Sequence, residues 1–198
     1  ALFNLSGSKV VEFVSDTTGC FGQSLPIVLN ITGTGEFTIP YRSIDNGNIA
    51  GSIVAGRNDN PVTIDITPSD LDLGLHTIVF GGTILNSDPN SCPIDTIGEA
   101  YITVKDIPTA QLDLPATICE GQTLEIKADL SPDSLMDVTY TVEHLGTTYN
   151  DLADDISGQD VILQGPTPTF KPTGDVTVTI LKTTYSEAPQ CANNTIER

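Results

Sequence analysis

The sequence predicts an all-β chain of two tandem β-sandwich domains, and three observations carry that prediction. The composition favours strands and turns: Thr, Val, Ile and Asp are plentiful beside 17 Gly and 13 Pro, and there is no Trp. The four cysteines, Cys20, Cys92, Cys119 and Cys191, lie at gaps of 72, 27 and 72 residues, so the two pairs are each related by an offset of 99. Matching text surrounds the first of those pairs. Cys20-Phe21-Gly22-Gln23-Ser24-Leu25 aligns with Cys119-Glu120-Gly121-Gln122-Thr123-Leu124. An internal repeat of about 99 residues follows, and 198 residues is enough for two such domains with modest cores.

Each element has its own signal. Leu25, Ile27, Leu29 and Ile31 alternate with period two, and at the same offset stand Leu124, Ile126, Ala128 and Leu130. In the second run Glu125, Lys127 and Asp129 fill the opposite face, the pattern of a half-buried strand. Further strands in the first repeat are expected at 10–15, 37–43, 62–67, 76–85 and 101–105. Gly33-Thr34-Gly35, Asp45-Asn46-Gly47-Asn48 and Asn58-Asp59-Asn60-Pro61 supply turn chemistry between them. Pro40 interrupts the third strand, which predicts an edge or a bulge. In the second repeat strands are expected at 110–114, 123–130, 138–144, 169–171 and 176–185. Six or seven short strands and a cysteine pair per repeat make an immunoglobulin-like β-sandwich the expected fold.

One cysteine falls early and one late in each repeat, which suits one disulfide per domain. No Cys-x-x-Cys occurs, and two histidines are too few for a zinc framework. A bridge closing so long a loop would stabilise its domain by about 4 kcal/mol, and it implies an oxidising compartment. The domains are read as 9–107 and 108–198, joined through the short segment Lys105-Asp106-Ile107-Pro108-Thr109, which is stiff enough for a rod. Residues 1–8 are a lead-in strand. At the 99-residue offset Ala1-Leu2-Phe3-Asn4-Leu5 falls on Ala100-Tyr101-Ile102-Thr103-Val104, whereas the second repeat has no such segment of its own. Either neighbouring sequence of a longer array supplies the missing strand, or Leu2, Phe3 and Leu5 form a donor strand that completes the second domain of another copy.

Charge excludes several classes of function. Asp and Glu number 26 against 8 Lys and Arg, and a net charge of −18 would repel phosphate backbones. No apolar run approaches the ~20 residues of a membrane helix, and there is no basic-then-apolar leader. Nucleic acid and membrane insertion are therefore not expected. Nor is catalysis: His76 and His144 occupy non-equivalent positions, and no Gly-x-Ser-x-Gly, His-Glu-x-x-His or P-loop pattern occurs. No cofactor is expected except Ca²⁺. Asp151, Asp154, Asp155 and Asp160 crowd one stretch, Asn58, Asp59 and Asn60 another, and Asp106 with Asp113 flank the linker as acidic residues do at cadherin-like joints. The competing reading is a solvated acidic face that keeps the protein soluble.

The Cys-x-Gly-Gln-[Ser/Thr]-Leu start, together with Thr32-Gly33-Thr34-Gly35-Glu36-Phe37-Thr38, Cys92, and Ala100-Tyr101-Ile102-Thr103-Val104 before Pro108-Thr109-Ala110, resembles a known family. It is similar to the tandem Ig-like or PKD-like repeats of secreted Bacteroidota surface proteins. Such repeats fill the stalks of gliding-motility adhesins and other type IX secretion substrates. The second repeat departs from the pattern, with Ser131-Pro132-Asp133-Ser134-Leu135 in place of the Thr-Gly-Thr-Gly turn. A weaker likeness is to luminal Ig-like repeats of a nuclear-pore membrane glycoprotein. The resemblance implies a non-catalytic, secreted or cell-surface spacer whose partners are neighbouring repeats or identical subunits. It also makes Thr17, Thr96 and Ser134 candidate O-glycosylation sites, since each follows Asp and precedes an apolar residue or Thr. Asn4, Asn30 and Asn193 begin sequons, which matter only in a eukaryotic secretory route. The alternative function is a glycan-binding module for surface polysaccharide, in which Tyr41, Tyr149 and Tyr185 would be the stacking platforms. Phe13, Phe37, Phe80 and Phe170 are assigned to the core.

Overall fold

Along the strand Leu25–Thr32 the residues Leu25, Ile27, Leu29 and Ile31 are all at most 3% exposed, so the period-two pattern does mark the inward face. A computed structural model describes residues 8–45, 49–67, 72–88, 93–167 and 169–194. The chain divides into two compact units between Lys105 and Asp106.

The first unit contains β1 (Lys9–Phe13), β2 (Thr17–Cys20), β3 (Leu25–Thr32), β4 (Glu36–Ser43), β5 (Ala50–Gly56), β6 (Val62–Ile66), β7 (Gly74–Phe80), β8 (Leu85–Asn86), β9 (Ile94–Ile97) and β10 (Ala100–Lys105). One sheet runs β6-β3-β1-β9 and the other β2-β10-β7-β4-β5, with β8 also on β4. The first stretch of chain changes sheets. β1 pairs antiparallel with β3, and β2 then pairs in parallel with the closing strand β10. Two sheets sharing their first strand in this way form an immunoglobulin-like sandwich. Its core joins Val11, Ile27 and Leu29 to Phe37, Ile39, Ile78 and Ile102, all wholly buried. Phe13 stacks on Phe80 with ring centroids 4.4 Å apart.

The second unit repeats the plan with β11 (Thr109–Asp113), β12 (Ile126–Ser131), β13 (Met136–His144), β14 (Thr147–Ile156), β15 (Val161–Leu163), β16 (Val176–Tyr185) and β17 (Ala188–Asn193). Its sheets run β11-β12-β15 and β14-β13-β16-β17. One correction arises here. The strand expected at 169–171 is not formed; β15 occupies the place beside β12. Prolines at 166, 168 and 172 deprive that segment of ladder donors. Phe170 is nevertheless buried, and its carbonyl accepts from the Leu124 N–H at 2.8 Å. Past β16 the chain turns back along its end as β17.

Pro40 lies inside the second sheet of the first unit, not at its edge. On one side of β4 the partner changes there, from β7 at Tyr41, Arg42 and Ser43 to β8 at Phe37 and Thr38. Gly81 bridges the break by donating to the Pro40 carbonyl at 2.8 Å. A residue without an N–H thus sits where the ladder is interrupted.

Two polar anchors have structural work. Lys9, 1% exposed, donates to Asn86 Oδ1 at 2.8 Å and lies 3.4 Å from Asp88 Oδ2, while the Thr34 hydroxyl donates to the same carboxylate oxygen at 3.1 Å. The lysine stem covers Gly33, whose φ is +126° and whose added Cβ would meet Lys9 Cγ at 2.7 Å. Only glycine fits that turn. In the second unit the buried Tyr140 hydroxyl donates to the Gln164 carbonyl at 2.7 Å and lies 3.2 Å from Asp151 Oδ2. Burial, reinforced by the Asp151 charge, raises its pKa well above the ordinary 10.0.

Lys9→Ala removes the buried cation from Asn86 and Asp88 and uncovers Gly33; it should destabilise the first unit by roughly 2–3 kcal/mol in denaturant unfolding, less than loss from a fully buried pair because Asp88 is partly solvated and keeps its bond from Thr34. For Tyr140 the unfolded chain loses its proton first. Stability is therefore complete below pH 10 and falls as pH rises above it. Tyr140→Phe should lose about 1 kcal/mol at neutral pH and show a flatter alkaline decline in melting temperature than the unsubstituted chain.

Candidate functional site

In the first unit β10 seals one side of the sandwich. It pairs antiparallel with β7, Ala100 opposite Ile78 and Ile102 opposite His76, and in parallel with β2, Ile102 opposite Thr17 and Val104 opposite Gly19. Ile102 and Val104 point inward and are at most 2% exposed. On the neighbouring β2 Cys20 is 2% exposed, and Leu25 at the start of β3 is 3% exposed.

In the second unit the equivalent position is open. β17 turns back at Ser186 and Glu187 and pairs only with the end of β16, at Thr183, Thr184 and Tyr185. Among the described residues no strand accompanies 176–182 on the edge that faces away from β13. The counterpart of β2, residues 116–119, is not a strand either. Between that segment and β16 lies a groove of about 660 Å³, walled by Leu114, Ala116, Ile118 and Leu124 on one side and Val176 and Val178 on the other. A second hollow of about 380 Å³ also borders Leu114, Ile118 and Leu124. Leu124 is half-buried and Cys119 exposed, unlike their buried counterparts Leu25 and Cys20. Sequence reasoning did not find this groove. Its signal was the apolar run Leu114-Pro115-Ala116-Thr117-Ile118, which lacks a period-two partner.

The cysteines do not follow the expected plan. Cys20 and Cys191 are each disulfide-bonded, whereas Cys119 is a free, exposed thiol. The expected bridge between Cys119 and Cys191 is therefore absent. The reason is geometric: Cys191 is wholly buried on β17, while Cys119 sits on the uncovered turn before β12. Cys92 lies outside the described residues, as do Leu2, Phe3, Leu5 and Asn4.

The other candidate residues are scattered. Among the described residues no three His, Cys, Asp or Glu side chains converge as a metal-binding group. Asp151, Asp154 and Asp155 belong to strand β14, and the Asp151 carboxylate already receives the Tyr140 hydroxyl and the Leu152 N–H. Asp160 lies 3.8 Å from Lys127. Asp106 accepts from the Ile107 N–H, and Asp113 ends β11. Asp59 and Asn60 accept backbone donors of Gly56 and Ile31 at 2.8 and 2.9 Å, so both serve their own turn. Asn30 lies on β3 and Asn193 on β17. Thr17 is half-buried on β2, Thr96 exposed on β9, and Ser134 half-buried in the turn before β13.

Of the aromatic candidates for sugar stacking, Tyr149 is exposed and Tyr41 half-buried, packed over Gly51, where an added Cβ would meet the ring. Tyr185 is 1% exposed and donates to the Asp106 carbonyl at 3.0 Å, so it offers no platform. Burial raises its pKa, with the Asp106 charge adding. Tyr101 is also raised, through its hydrogen bond to Glu99. His76 Nε2 meets the Asp72 carbonyl at 2.6 Å; His144 packs edge-on to Phe170 and contacts the Thr173 carbonyl at 3.1 Å. Phe170 is core, though not within a strand.

No family model matches the chain, and no curated protein does. Among solved structures it is similar to the tetra-tandem repeat in the extending region of a large adhesion protein, at 17% identity, covering 96% of this chain and 49% of that one with a TM-score of 0.35. The chain thus spans about half the length of that structure. It is also similar to a chimeric titin Z1Z2-Z1Z2 tandem functionalised with a GRGDS peptide from fibronectin, at 12% identity over 93% and 95% of the two chains, with a TM-score of 0.24.

Maleimide labelling of the oxidised chain under native conditions should modify Cys119 and spare Cys20 and Cys191; peptide mapping checks this, and protection of Cys119 would show that its turn is covered in solution. By strand order and register, the chain is a tandem repeat of two immunoglobulin-like β-sandwiches.

Proposed function

We propose that this chain is a non-catalytic structural segment of a secreted or cell-surface adhesin or filament, a spacer that extends an adhesive part away from the cell. The observation that carries the reading is the duplication itself. One 99-residue plan is built twice as a sandwich, and its polar side chains are largely engaged in holding the fold. Lys9, Tyr140, Tyr185 and Asp59 all make structural hydrogen bonds. A strongly acidic surface, at a net charge of −18, suits a protein that must stay solvated at high local density. The disulfide-bonded state of Cys20 and Cys191 favours an oxidising location. The motif resemblance places the finer reading in Bacteroidota, with export by type IX secretion and a role in surface attachment or gliding. Ca²⁺ at the acidic stretches and O-glycans at Thr17, Thr96 or Ser134 would be additions to this role.

Immunogold labelling of intact source cells with an antibody to this chain tests the proposal. Gold on surface fibres or stalks is the expected result. Label found only after permeabilisation, inside the cell, would overturn it.

A further inference from the structure

Three candidates stand out: the buried Lys9 with Asn86 and Asp88, the buried His76, and the groove of the second unit. The first is accounted for by strand anchoring; the second meets the Asp72 carbonyl through Nε2, and its buried Nδ1 has no hydrogen-bond partner among the described residues. The groove has no occupant among the described residues, although the same position is filled in the first unit.

We propose that the groove is a strand-acceptor site and that its occupant is the segment Ala1-Leu2-Phe3-Asn4-Leu5 of a second copy of this chain. The register follows from the first unit. Gly74 and Gly174 both have positive φ, and Ile78 and Val178 are both buried inward residues, so β7 maps onto β16 at an offset of 100. The pairing of Ile102 with His76 and of Ala100 with Ile78 then becomes Phe3 opposite Val176 and Ala1 opposite Val178. On the other side, Ile102 opposite Thr17 and Val104 opposite Gly19 become Phe3 opposite Ala116 and Leu5 opposite Ile118. Those four acceptor residues all line the groove. Alternation agrees with it. Ala1, Phe3 and Leu5 enter the groove as Ala100, Ile102 and Val104 enter the core, each at most 2% exposed, while Leu2 and Asn4 face out like Tyr101 and Thr103.

The incoming strand gives backbone partners to the free edge of β16 and a cover to Leu124, which is the mode of β-strand addition. Donor and acceptor are different surfaces, so the contact is heterologous and adds copies head to tail. The inference goes beyond the spacer reading, and its failure would leave that reading standing.

The experiment uses the full 198-residue chain, the same chain carrying Phe3→Asp, and a synthetic peptide of residues 1–7. The peptide is added to the variant in trans, so its effect on the second unit is read separately from what Phe3→Asp does to assembly. The unsubstituted chain should form a concentration-dependent ladder of masses in sedimentation, and the variant should stay monomeric. Added peptide should raise the melting temperature of the variant's second unit by roughly 5 °C. It should also slow amide exchange at 174–178, whereas a peptide with Leu2 and Phe3 exchanged should do neither. Equal masses for the two chains, with no peptide effect, would overturn the proposal. Peptide binding without assembly of the unsubstituted chain would overturn the second copy as occupant.

Discussion

A sandwich of two sheets stays closed only if its last strand satisfies the backbone of the strand beside it and covers the side chains beneath. In the first unit β10 does both, because it pairs with β7 on one side and β2 on the other. Its inward residues Ile102 and Val104 complete the core, where Leu25 is buried as well. A buried backbone group left without a partner costs about as much as a lost hydrogen bond, so this one strand decides how much else can be dry. The two units share a plan and differ here. With no equivalent cover among the described residues, Leu124 is half-buried, Cys119 is exposed, and a groove lies between 114–118 and β16.

The same constraint explains the polar chemistry. Several buried polar side chains act where strands or turns need fixing. Lys9 joins the start of β1 to Asn86 on β8 and supports the Gly33 turn from above. Tyr140 on β13 reaches the Gln164 carbonyl just beyond β15, which ties one sheet of the second unit to the other. Thr183 donates to the Pro108 carbonyl and Tyr185 to that of Asp106, so the residues leading into β11 are held by β16. These side chains sit among partners already chosen by the fold.

Much of this was legible in the sequence wherever one face of a strand is buried. β16 is found at its predicted limits and β3 along its alternating run, and β1, β4, β6, β10 and β13 lie within a few residues of prediction. The strands that escaped reading are those without such a face. β14 is exposed along almost its whole length and carries polar and acidic residues; its pairing with β13 makes it a strand. β5 buries only Ala55, and β9 is an exposed edge held in parallel by β1. The cysteine spacing revealed the repeat but not the bonding. Spacing reports the period of the chain, whereas a bridge needs two sulfurs in reach, and Cys119 points to water.

The beginning of β12 shows why the candidate site was harder to read than the fold. Leu124 matches Leu25 in the repeat, and alternation extends through it, so a strand from 123 is the natural expectation. In the first unit β3 does begin at Leu25, paired with Ile66 of β6. In the second unit β12 begins only at Ile126, opposite Leu163 of the three-residue β15, and the Leu124 N–H turns instead to the Phe170 carbonyl. The local pattern is unchanged and the outcome differs, because what makes a strand is its neighbours. A missing neighbour is not written in the segment that lacks it. It becomes visible only when two copies of one plan are compared and one has a strand, a cover and a dry leucine where the other has a groove.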